Sequence, residues 1–209
     1  MPLLNKRKYE KKEPFRDATL YIIICEGEKR EPEYFRFFDG LTSQLKLVIV
    51  PSSGGRSAPN HLITEARNKK NNIVNDEGDY ELWFILDLDK WQNQLHRIHQ
   101  ECRDTPEWNL SISNPCFEVW LYYHFSKRMP RNGDLPRCSI WRQLIPSLVN
   151  GGFNSNHHPT LIFDAIGNSR QNYSENGYIP NTGSTQIFIL AEKIYTLTKK
   201  TILKFRTGL

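Results

Sequence analysis

Three acidic residues carry the types and spacing from which chemistry on a phosphate could be built. Asp87 and Asp89 form an aspartate–x–aspartate pair in ILDLDKW, directly after an apolar run, and Glu26 follows another apolar run in IIICEGE. Hard divalent cations such as magnesium take oxygen ligands in near-octahedral geometry and keep several waters. Two aspartates at i and i+2, where a strand unwinds, can both turn toward one ion. A glutamate from a neighbouring strand can then complete the site or manage protons. Gly27 permits a tight turn with close backbone approach just after Glu26. An isolated aspartate pair at a strand end more often caps a helix or faces solvent. The conjunction of both features after buried strands points instead to a site for Mg2+ or Mn2+, with Glu26, Asp87 and Asp89 as its metal residues.

The elements that must position these acids are legible as alternating strand and helix patterns from residue 18 to about 126. Ala18 to Cys25 (ATLYIIIC) is a continuous β-branched and aromatic run, which suits a central parallel strand buried on both faces. Glu31 to Leu45 carries apolar residues that fit a helix (Tyr34, Phe35, Phe37, Phe38, Leu41, Leu45), with Pro32 where a first helical turn tolerates it. A strand at Lys46 to Val50 precedes the polar turn SSGGRS and a helix with Leu62, Ile63, Ala66 and Ile73 on one side. Tyr80 to Leu88 reads as the third strand, a helix through Leu95, Ile98 and Cys102 follows, and Trp108 to Ser113 is the fourth. Cys116 to Phe125 is apolar almost all round, as a buried helix would be. Strands separated by helices imply βαβ units and a parallel sheet, and ligands of such sheets collect beyond the carboxyl ends of the strands. Glu26, Asp87, Asp89, Asn114 and Glu118 all fall at those ends.

After residue 127 the pattern weakens. KRMPRNGDLPR is a loop by composition, while Thr160 to Arg170, Ser139 to Val149 and Gln186 to Leu203 read as helices. The expected organisation is a basic segment over 1–17, an α/β core over 18–126 and a mostly helical extension over 127–209 packed on that core.

Other residues near the expected site suit phosphate binding. In SSGGRSAPN, Gly54 and Gly55 could let backbone amides cradle a phosphate, and Arg56 could contact it bidentately. The GK[ST] ending of a Walker motif is missing, so no ATP site is expected. Arg30 and Lys29, just past Glu26, and His61, early in the second helix, are further candidates for substrate contact. Asn114 and Pro115 are expected to shape the turn that brings Glu118 inward. Glu28, Glu31 and Glu33 read as acids favoured by a helix N-terminus, with Glu31 also a candidate for supporting the site. Trp83, Trp91, Trp120 and Trp141 read as core or rim aromatics.

Bulk properties narrow the classes. The 209 residues suffice for one substantial core. The net charge of +5 favours a polyanionic partner, since neutralising phosphates releases counterions. No apolar run approaches the roughly 20 residues that cross a bilayer, and the basic N-terminus lacks the apolar stretch of a secretion signal. The four cysteines, Cys25, Cys102, Cys116 and Cys138, form no CxxC or His-paired ligand pattern, which suits reduced thiols in a cytoplasm rather than structural zinc.

Four blocks in order, CEGEKREPEYF, VPSSGGRSAPNHLI, FILDLDKW and ISNPCFEVWLYYHF, with a fainter echo in NTGSTQIFILAEKI, resemble the RloB family of phage-defence proteins. The resemblance implies a Toprim-like, Rossmannoid fold: a mostly parallel sheet of about four strands flanked by helices. It implies Glu26 as general acid or base, Asp87 and Asp89 as magnesium residues, and Glu118 as a further catalytic acid near the metal. It also implies a role in abortive infection beside an ATPase partner of AAA or ABC type.

The expected function is therefore a magnesium-dependent nuclease acting on DNA or RNA, tRNA included, in antiviral defence. A topoisomerase is excluded by the length. A haloacid-dehalogenase-like phosphatase would place its aspartate pair after the first strand, not the third. The non-enzymatic alternative is a nucleic-acid-binding or assembly module of a defence complex.

Overall fold

A computed structural model describes residues 18–52, 54, 58–73, 79–88, 95–131 and 135–207 of the protein. Four parallel strands form one sheet in the order β2-β1-β3-β4: β1 Thr19–Cys25, β2 Leu45–Val50, β3 Tyr80–Asp87 and β4 Trp108–Ser113. The chain passes from β1 outward to β2, then crosses back to lay β3 on the other side of β1. The order therefore reverses between β1 and β3, the point where open α/β sheets bind ligands. The fold is α/β and Rossmann-like, as a Toprim-like sheet requires, with helices on both faces and a long helix at the C-terminal end.

Strand periodicity sorts the side chains into two cores. Tyr21, Ile23 and Cys25 face one way with Trp83 and Ile85. Ile22 and Ile24 face the other with Leu82, Phe84 and Leu86. The second core is closed by α2 (Pro59–Ile73) and α3 (Leu95–Asp104), through Leu62, Ile63, Ala66, Leu95 and Ile98. The first is larger and takes α1 (Arg30–Arg36), α4 (Glu118–Tyr122), α5 (Cys138–Leu148), α6 (Ile162–Gln171) and α7 (Ile187–Thr207). Residues from the C-terminal third, such as Ile162, Ala165, Leu190 and Ile194, are thus in one core with the strands. Trp83, Trp120 and Trp141 are buried there; Trp91 lies outside the described residues.

The outer edge of β4 is covered. Thr185 bridges antiparallel to Ser113, the Gln186 amide donates to the Ile112 carbonyl at 2.8 Å, and the Ile112 amide donates to Gln186 Oε1 at 3.0 Å. An edge so paired offers no template for another strand.

Several element boundaries differ from the sequence expectation. The first helix ends at Arg36 rather than running to Leu45, because the chain turns over 37–40 and Gly40 adopts φ 73°, a left-handed value that ends helices. Phe38 is nevertheless buried, so its apolar spacing records burial rather than helix. Cys116 to Phe125 contains only the short α4, flanked by turns. A hairpin of β5 (Glu175–Asn176) and β6 (Ile179–Pro180) around Gly177 gave no periodic signal, its strands being two residues each.

Two features generate predictions. Gly27 begins the turn between β1 and α1, and a Cβ added there would lie 2.1 Å from Glu31 Oε2. Glu31 is 6% exposed, so the end of its side chain must shift within a buried setting to admit the methyl. Gly27→Ala should cost about 1–3 kcal/mol, the range for overpacking, and Glu31→Ala in the same chain should recover part of that loss. Urea melts of the two single variants and the double variant measure the coupling.

His124 is fully enclosed between α1 and α4. Its Nδ1 lies 3.0 Å from the Trp120 carbonyl and its Nε2 3.2 Å from the Tyr34 hydroxyl, a pattern that suits a neutral ring donating from Nδ1. Burial lowers its pKa to about 3, against about 6.5 in an unfolded chain. The unfolded state therefore binds the extra proton first. Stability from this residue is complete above about pH 6.5 and is lost as pH falls toward 3. Urea midpoints between pH 7 and pH 4 should fall more steeply for the wild type than for His124→Phe.

Candidate functional site

The register of β1 against β3 brings the two acids together. Cys25 pairs with Ile85, and the Glu26 amide extends that pairing by donating to the Ile85 carbonyl at 3.1 Å. Glu26 is thereby set beside the end of β3, where its Oε2 accepts a hydrogen bond from the Asp87 backbone N–H at 2.8 Å. Parity places Asp87 on the face of Ile85, toward α4, and its Oδ1 accepts from the Phe117 amide at 2.8 Å. Glu26 is 3% exposed and Asp87 9%. Two carboxylates this buried are held by backbone donors, which fixes their orientation.

Glu118 completes the acidic group. Its carboxylate, 2% exposed, receives Arg30 Nη1 at 3.0 Å and Arg142 Nε at 2.9 Å, both on Oε1. Burial alone pushes its carboxyl up, but hydrogen bonds from Cys116 and Arg142 and the charges of Arg142 and Arg30 outweigh that, and the group titrates below the ordinary carboxylate range. The hydrogen bond to Glu118 holds the Arg142 guanidinium above its own ordinary value. The Cys116 thiol is pushed far up by contact with Cys138, by burial and by the charges of Glu118 and Asp87. At neutral pH the group is therefore a thiol, an ionised Glu118 and two arginines.

Asp87, Cys116 and Glu118 each present a ligand atom within 4.8 Å of the others, a spacing at which a metal ion could be held. Cys116 would suit a softer ion, which on binding would itself displace the thiol proton. The carboxylate oxygens of Asp87 and Glu118, which line a cleft, suit a hard divalent cation, and Glu26 lies beside Asp87 through its hydrogen bond to the Asp87 amide. That cleft has a volume of about 250 Å³ and is lined by the cations Lys29, Arg30 and Arg142 and the acids Glu28, Glu31, Asp87 and Glu118, with Gly27 and Phe117.

The other expected residues are distributed more widely. Asp89, Gly55 and Arg56 lie outside the described residues. Gly54 is exposed in the turn after β2, with a left-handed φ of 59°. His61 lines a separate cavity of about 120 Å³ with Ile24, Val50 and Ser52, over the second core rather than in the Asp87 cleft. Asn114 is engaged within the protein: its Nδ2 donates to the Pro180 carbonyl at 2.8 Å, its amide to the Ser184 carbonyl, and its carbonyl accepts from the Gly183 amide. It ties the end of β4 to the 180–184 segment. Cys116 and Arg142 were not singled out from the sequence. Cys116 lies inside the NPCFE block, which was a signal of sorts. Arg142, 24 residues from Glu118, reaches it only through the packing of α5 on α4.

Comparison with curated proteins and with solved structures gives no match. The family model described as RloB-like protein matches residues 21–194, which spans every strand and helix that builds the cleft, and the chain belongs to the RloB-like family.

Proposed function

We propose that this protein is a metal-dependent nuclease, cleaving phosphodiester bonds of DNA or RNA with Mg2+ or Mn2+. The observation that carries the reading is the buried meeting of Glu26 and Asp87 at the switch point of the sheet. Asp87 and Asp89 would hold the ion, with Glu26 beside them. When bound, the ion supplies polarisation of a phosphoryl oxygen and orientation of the attacking water. Glu26 exchanges the proton that the reaction must move, taking it from the attacking water or returning it to the leaving oxygen. Arg30, on the same cleft, meets the negative charge of the phosphate. A place in antiviral defence and an ATPase partner of AAA or ABC type follow from the family likeness alone, and both belong to this proposal.

A non-catalytic nucleic-acid-binding module is the second reading, favoured by the net charge of +5 and by the pairing of Glu118 with two arginines. Isosteric variants separate the two. Glu26→Gln keeps an oxygen for the Asp87 amide, and Asp87→Asn keeps one for the Phe117 amide, so both should fold. With labelled oligonucleotides or tRNA and Mn2+, each should lower the cleavage rate by at least about 100-fold, the scale of a lost acid–base group. Cleavage at the wild-type rate in both would remove Glu26 and Asp87 as the catalytic acids, and no cleavage by the wild type would leave the module.

A further inference from the structure

The Arg30–Glu118–Arg142 cluster does not end at the catalytic cleft. Arg30 and Arg142 also line a second cavity of about 370 Å³, together with Gly151 and Phe153. Gly151 and Phe153 in turn line a third, of about 610 Å³, with Arg36 and Asn156. The shared residues set the three cavities next to one another, in a row that leads from Asp87 past the two arginines to the 151–156 loop and is called the groove below. We propose that this groove binds an unpaired nucleic-acid strand, with Arg30 and Arg142 clamping a backbone phosphate next to the one that is cleaved. The proposal rests on the nuclease reading and names the form of its substrate.

The clamp is built rather than incidental. Both arginine side chains are about half exposed, at 53% and 55%, while the Glu118 side chain that orients them is 2% exposed. Glu118 thus fixes two forked donors from α1 and α5 over the groove and neutralises only one of their two charges. Each arginine carries five N–H donors, which leaves donors for a phosphate. Arg36 adds a cation beside Glu33 in the third cavity, while Glu28, Glu31 and Asp87 gather acidic charge at the cleft end, so the cationic part of the groove is centred on Arg30 and Arg142.

Phe153 supplies the second element that an unpaired strand needs. Its ring is held by His124 at 5.0 Å, Tyr34 at 6.0 Å and Phe125 at 6.0 Å, and it also lines the groove. The ring also meets His158 at 5.4 Å and is only partly buried, and a partly exposed aromatic ring beside cationic side chains is the common platform for a base of a single strand. A paired duplex keeps its bases stacked on each other and cannot present one to Phe153.

Fluorescence anisotropy in EDTA tests this without metal or catalysis, using a labelled single strand of about 12 nucleotides and the duplex of the same sequence. Asn156→Glu with Ser155→Glu puts negative charge on the groove wall, far from Asp87 in sequence and on a surface loop. The single strand should bind more tightly than the duplex, with an affinity that falls steeply with salt, and the double variant should weaken it at least about tenfold. Arg142→Lys should weaken it several-fold although the charge is kept, because the fork is lost. Duplex binding equal to that of the strand, wild-type affinity in the double variant, or no binding at all would overturn the groove. A strand that binds as expected but is never cleaved with Mn2+ would leave the groove standing and remove the nuclease reading.

Discussion

The site depends on two buried carboxylates being satisfied at the ends of adjacent parallel strands. An ionised acid taken out of water is costly unless donors are placed against it. Here the donors are backbone amides. Asp87 N–H serves Glu26, and Phe117 N–H serves Asp87. Each link needs a different part of the fold: the first needs the β1–β3 register, and the second needs α4 packed against the end of β3. The first core, which gathers the C-terminal helices onto the sheet, holds α4 in place. The acids are therefore oriented by the whole of that face rather than by their own loops.

A second level of charge control sits just above. Glu118 is as buried as Glu26, yet its compensation comes from side chains, Arg30 at the start of α1 and Arg142 within α5. Side-chain compensation leaves Arg30 and Arg142 half-exposed, while backbone amides hold Asp87 at the cleft and Glu26 beside it. The same local need, satisfaction of a buried carboxylate, is met in two ways. Cys116 lies within reach of both Asp87 and Glu118, and its thiol is pushed up by contact with Cys138, by burial and by those carboxylates.

How far the sequence revealed this follows from the range of each interaction. Glu26 and Asp87 were legible because each ends an apolar run, and strand order needs only local periodicity and the rule for ligands of parallel sheets. Glu118 was reached through the NPCFE block. Arg142 was not, since nothing in SIWRQLIP marks one arginine before α5 is packed on α4. Phe37 to Leu41 misled the reading of α1, because residues in a buried turn can imitate helical spacing. The β5–β6 hairpin was too short to show a period. His61 was expected beside the acids because its helix follows β2; the helix lies on the opposite face, and the histidine lines another cavity. Asn114 does shape the end of β4, through the 180–184 segment rather than through Glu118.

The central claim is that Glu26, Asp87 and Asp89 make a site for a hard divalent cation. Titration calorimetry of Mn2+ into the folded wild-type chain, beside Asp87→Ala/Asp89→Ala, addresses it directly. One ion bound by the wild type, and binding lost or weakened at least about tenfold in the variant, is the expected result, since second-shell changes alone cost 10- to 100-fold. Equal binding by both chains would place the ion elsewhere and contradict the account.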